Sequence, residues 1–120
     1  MKIYAIMCME SVQKMKGIRG KMASQAGHAF LHSFWDAETR FPEYAQAYKD
    51  SAHAVKITVR VNTEAELLEL YERYAAIVGA TLVKDAGFTV FTEPTITCVG
   101  IGPIPEALIG EDLRTLRLFK

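Results

Sequence analysis

The order of elements along this chain of 120 residues predicts an α/β fold, a three-layer α/β/α sandwich around a mixed sheet of about four strands. Three observations carry that prediction. A short apolar run opens the chain, and a cleanly alternating segment from His53 to Val61 reads as a second strand. Helical patterns lie between these strands and after them, and two further strand-like runs close the sequence. The length suits a single domain over 1–120.

Taken in order, Lys2 to Met9 is an apolar stretch of strand length. A basic loop follows, with Lys14, Lys16, Arg19 and Lys21 clustered around Gly17 and Gly20. From about Lys21 to Trp35 the pattern is helical, and Ala23, Ala26 and Gly27 are small enough to let that helix lie close to the sheet. Pro42 suits the first turn of a second helix running toward Lys49. In the alternating strand Val55, Ile57, Val59 and Val61 share one face, and Lys56, Thr58 and Arg60 share the other. Thr63-Glu64-Ala65-Glu66 is a capping-box signature, in which hydroxyl and carboxylate each satisfy a backbone donor. The helix it opens carries Leu67, Leu70, Tyr71 and Tyr74 at core spacing and ends near Gly79. Thr81 to Lys84 reads as a third strand ended by Asp85-Ala86-Gly87, with Phe88 to Phe91 extending it past a bend. Thr95 to Gly102 reads as a fourth. Pro103 and Pro105 break that run and start a last short helix, after which Leu113 to Phe119 is extended.

Half of the residues are hydrophobic and 23% are charged, so a packed core is expected and disorder is not. Formal net charge is zero, so any polyanion must be met by a local patch rather than by a basic domain. The opening run meets Glu10 before any small-residue cleavage site, and no apolar run has the length of a membrane span. Cys8 and Cys98 sit in apolar segments without metal-ligand spacing and read as reduced core thiols. A cytoplasmic protein without a membrane partner fits these features.

The polar residues of the first helix form a pattern. Lys21, Gln25, His28 and His32 lie at offsets of four, seven and eleven and so share a narrow stripe. The stripe either faces water or lines a site; it lacks acids and begins just after the basic loop. That loop is either a solvated lysine segment or a phosphate cradle in which cations act with the free backbone donors of a helix start. Asp85 ends a strand ahead of Ala86-Gly87, with Thr89, Thr95 and Thr97 nearby. Ser24 lacks the flanking residues of a nucleophile elbow, and no His/Cys/acid group has zinc spacing, so neither a serine triad nor a catalytic metal or other cofactor is expected.

Three motifs in order resemble the type II peptidyl-tRNA hydrolases of archaea and eukaryotes. The first is Gly20-Lys21-Met22-Ala23-Ser24-Gln25 with His28-Ala29, and the second is Lys56-Ile57 leading to the helix from Glu64 to Tyr74. The third is Asp85-Ala86-Gly87-Phe88-Thr89 followed by Thr95, Thr97 and Ile101-Gly102-Pro103, with a basic tail at Leu116-Arg117-Leu118-Phe119. The resemblance implies an α/β sandwich, usually a homodimer, that hydrolyses the ester between a peptide and the 3′ end of tRNA. It places catalytic groups on Lys21, Gln25, His28, Asp85, Thr89 and Thr97, and substrate contacts on Lys14, Lys16, Arg19, Lys56 and Thr95. In that reading Asp85 serves the attacking water and is held by Lys21. Two other functions fit the same fold: a non-catalytic tRNA- or RNA-binding module, and a hydrolase of another acyl ester. An adaptor using a sheet edge would not need Lys21, His28 and Asp85 in one place.

Overall fold

The computed structural model describes residues 1–16, 18–85 and 93–120. Strand β1 (Lys2–Cys8) is followed by helices α1 (Met9–Lys14), α2 (Arg19–Arg40) and α3 (Pro42–Asp50). Strand β2 (Val55–Val61), helix α4 (Glu64–Ala75), strand β3 (Ala80–Asp85) and strand β4 (Thr95–Ile104) come next. A 3₁₀ turn (Glu106–Leu108), helix α5 (Glu111–Arg114) and strand β5 (Arg117–Leu118) end the chain. The sheet has five strands in the order β3-β4-β1-β2-β5. β1 and β2 are parallel, as a helical crossover requires, and the other pairings are antiparallel.

Central position explains the composition of β1. Ile3 through Cys8 are all buried, because helices cover both sides of the sheet. Tyr4, Ile6 and Cys8 join a core with Val59, Val61, Leu67, Leu70 and Tyr74 on the α4 side, whereas Ala5 and Met7 pack with Ala29, Val83 and Cys98 beneath α2. Two apolar cores on opposite faces of one sheet make the expected three layers. Both cysteines are buried free thiols, and burial pushes the Cys98 thiol up to about 12, so it stays protonated. Among the described residues no helix is long and apolar enough to cross a membrane.

Several sequence expectations change in detail. α2 begins at Arg19 and runs to Arg40, past the expected Trp35, and α1 is a helix that no pattern announced. Only half of the capping box forms: Thr63 Oγ1 accepts from the Glu66 amide at 3.2 Å, while the Glu66 carboxylate accepts from the Thr63 hydroxyl instead of a backbone donor. A fifth strand is added because the expected extended tail folds first into α5 and then pairs Leu118 with Val59. β4 continues through Pro103, since Gly102 and Pro103 lie where the register against β1 slips between Lys2 and Tyr4, and a bulge tolerates a proline.

The close approach of helix to sheet is also shifted by about one turn. Gly27 and Ala23 are exposed, and the buried row of α2 is Gln25, Ala29, Ser33 and Ala37. This row meets β4 at Gly100, where a methyl group would stand 2.2 Å from the Ala29 carbonyl oxygen. Ser33 Oγ donates to the Gly102 carbonyl at 2.6 Å.

At its far end α2 is tied to β3 by Asp36, which accepts from the Ala80 amide at 2.9 Å and from Arg40 at 2.6 Å. Partial burial pushes the Asp36 carboxyl up, but Arg40 and the Ala80 amide together outweigh it and hold it below its ordinary value. A carboxyl depressed in the folded state contributes stability at neutral pH that is lost as pH falls through its folded pKa. The melting temperature should therefore fall below about pH 4, and the fall should be smaller in Asp36→Asn. Parallel pH–melting curves for the two proteins would remove this account.

Candidate active site

Lys21 stands in the first turn of α2, and Asp85 is the last residue of the edge strand β3. The Lys21 ammonium donates to Asp85 Oδ2 although 64 positions separate them in sequence. Asp85 is 6% exposed and Lys21 18%, so the carboxylate is withdrawn from water while the pair is reached from the lysine side. A buried carboxylate needs such a partner, because desolvation without one costs several kcal/mol (order of magnitude). The convergence is set by topology: α2 crosses the sheet and starts above the ends of β3 and β4.

Gln25, one turn after Lys21, belongs to the buried row of α2. Its side-chain oxygen lies 3.2 Å from the hydroxyl of Thr97, which is fully buried and also lies 3.3 Å from the Val83 carbonyl. A hydroxyl has one proton, so it donates to one of the two at a time. Thr97 reaches this position through a bulge: Val83 pairs with Cys98 and Lys84 with Ile96, leaving Thr97 as the extra residue of β4. Cys98 Sγ donates to the Gln25 carbonyl at 3.3 Å, and Ser11 Oγ of α1 donates to the Ile96 carbonyl at 2.8 Å. The bulge is thus braced from α1 and α2 together.

The stripe read along the first helix divides. Gln25 turns inward with the buried row, whereas His28 and His32 are exposed, with their rings 5.6 Å apart, and His32 stacks on Trp35 at 5.2 Å. Thr95 pairs with Asp85 in the β3–β4 ladder and its hydroxyl donates to the Glu93 carbonyl at 2.9 Å. Thr89, the Ala86-Gly87 turn and the extension from Phe88 to Phe91 lie outside the described residues. Lys14, Lys16 and Arg19 are exposed on the segment leading into α2, whose first turn carries no acid. Lys56 stands apart from them. It pairs with Ile3 at the other end of the strands, about 13 Å from the level of Met7. Its ammonium donates to the Ala54 carbonyl at 3.0 Å and sits over the Tyr48 ring.

Sequence reasoning missed Ser11, which only its long-range contact reveals, and the Thr97 bulge. Among the described residues no group of three His, Cys, Asp or Glu side chains gathers where a metal would bind.

The class of protein so defined is an α/β sandwich with a withdrawn carboxylate held by a lysine, an amide–hydroxyl brace beside it and exposed cations at the helix start. The peptidyl-tRNA hydrolase PTH2 family profile matches residues 5–119. Peptidyl-tRNA hydrolase of Methanocaldococcus jannaschii is 32% identical over 84% of this chain and 88% of its own length. That of Methanococcus vannielii is 35% identical over 84% and 87%. A probable peptidyl-tRNA hydrolase 2 of Schizosaccharomyces pombe is 36% identical over 84% of this chain and 49% of its own length. The chain belongs to the peptidyl-tRNA hydrolase PTH2 family, whose activity is the hydrolysis of peptidyl-tRNA.

Proposed function

We propose that the chain hydrolyses the ester joining a peptide to the 3′ ribose of tRNA at the Lys21–Asp85 pair. The observation that carries this reading is the convergence of those two side chains from opposite halves of the sequence. Asp85 accepts a proton from water as the water oxygen attacks the ester carbonyl carbon; the C–O bond to the ribose then breaks as Asp85 returns that proton to the departing 3′-oxygen, leaving a peptide carboxylic acid, which ionises in solvent, and a free tRNA end. Lys21 holds the carboxylate in place. Gln25 and Thr97 fix the wall behind it, His28 and Thr89 supply donors for the developing oxyanion, and Thr95 contacts the substrate. Lys14, Lys16 and Arg19 receive phosphates beside the start of α2. Lys56, farther along the sheet, would meet a different phosphate of the substrate from those held by Lys14, Lys16 and Arg19. The chain acts as one unit over 1–120, as a cytoplasmic homodimer, in keeping with the family resemblance.

The test is release of label from N-acetyl-aminoacyl-tRNA by the purified protein. Lys21→Ala should lower kcat/KM about 100-fold or more while circular dichroism shows an unchanged fold. Wild-type release no faster than that of the variant would end the proposal and favour an RNA-binding module.

A further inference from the structure

One row of the sheet can be followed through all five strands. Arg117 of β5 pairs with Arg60 of β2, Arg60 with Met7 of β1, Met7 with Cys98 of β4, and Cys98 with Val83 of β3. Residues paired directly across a ladder share a face of the sheet. Met7, Cys98 and Val83 belong to the core under α2. Arg60 and Arg117 therefore lie on the α2 face, in the row that ends two residues short of Asp85.

The pairing of these arginines is unfavourable in isolation. Like charges directly opposite across two strands repel, and among the described residues neither arginine has an acidic partner. They border an open cleft of about 330 Å³ with Asn62 and Thr115. Glu66, the acid on the far wall, has its carboxylate engaged by the Thr63 hydroxyl. Two guanidinium groups beside polar donors suit a phosphate, which each can grip in a fork. β5 is held there from a distance: Tyr74 Oη donates to Asp112 at 2.6 Å and accepts from the Gly110 amide at 3.0 Å, fastening α5 and the tail to α4.

We infer that Arg60 and Arg117 form a second phosphate site, which takes backbone phosphates of the substrate RNA a few nucleotides from the ester. Three strand spacings separate β2 from β3, and four separate β5 from β3, so the pair stands about 14–19 Å from the strand that carries Asp85. That distance is a reach of single-stranded RNA rather than of the scissile ester itself. This inference rests on the hydrolase reading above, but the two can fail separately.

The experiment compares wild type with Arg60→Gln/Arg117→Gln on N-acetyl-aminoacyl-tRNA and on an N-acetyl-aminoacyl ester of adenosine, which has no phosphate. On tRNA, KM should rise about tenfold or more with kcat within twofold. Affinity for uncharged tRNA should fall similarly, and its log–log salt slope should become shallower by about 1.5–2. On the adenosine ester the two proteins should behave alike. Removing the repulsion should leave the melting temperature at or above that of wild type. Unchanged KM and salt slope in an active wild type would overturn the site, as would an equal loss on the phosphate-free ester or a marked drop in melting temperature. If wild type leaves charged tRNA intact while the variant still binds uncharged tRNA more weakly, the hydrolase reading fails and the phosphate site stands.

Discussion

Asp85→Asn should reduce kcat on N-acetyl-aminoacyl-tRNA by about 10²–10⁴-fold while affinity for uncharged tRNA stays within about twofold. The amide keeps the shape of the carboxylate and remains able to accept from Lys21, so the variant should still fold, with a lower melting temperature because the Lys21 charge loses its counter-ion. It does not take a proton from water, which is the step assigned to Asp85. The variant also separates hydrolysis from binding: a pure RNA-binding module would show the same affinity in both proteins and no turnover in either. Single-turnover kinetics with labelled substrate reads the effect directly. Turnover within tenfold of wild type would remove Asp85 from the proton transfer and move attention to His28 or to water held by the threonines.

The second large effect is expected far from any charge, in Gly100→Ala. The added methyl would sit 2.2 Å from the Ala29 carbonyl oxygen and 2.9 Å from both the Ala29 carbonyl carbon and Ser33 Cβ. Two of those three atoms are backbone, so no rotamer change relieves them, and α2 must lift from β4. Overpacking of this kind should cost about 3 kcal/mol, the upper end of the usual range because the clash is with backbone, a large fraction of the ~5–15 kcal/mol that stabilises an ordinary domain. The melting temperature should drop by roughly 10–20 °C. Activity should fall even at temperatures where the variant is folded, because the same displacement carries Gln25 away from Thr97 and Lys21 away from Asp85. A melting temperature within a few degrees of wild type would mean that α2 has room to move, and would weaken the claim that this contact aims the site.

These two positions show different degrees of legibility. Asp85 stands out because it ends a strand ahead of a glycine turn and falls in a motif whose order along the chain matches a family. Gly100 does not stand out at all; it is one small residue in an apolar strand, and its importance comes from a helix seventy positions earlier. The stripe from Lys21 to His32 lies between these cases. Its spacing is correct, but the helix is rotated so that Gln25 faces the sheet with Ala29, Ser33 and Ala37 while the two histidines face water. Spacing defines which residues share a face, and only packing says which face turns inward.

Local physics is written in the order of residues and was readable there. Alternation marked β2, a threonine cap marked the start of α4, apolar runs marked β1 and β4, and the motif order carried the family with Lys21 and Asp85. Long-range pairing decided the rest. It created the bulge that presents Thr97, the fifth strand that sets Arg117 opposite Arg60, and the contact between a lysine and an aspartate 64 positions apart. The physical reason is that helix and strand periodicities depend on neighbours within a few residues, whereas register and helix rotation are chosen by the packing of the whole sheet.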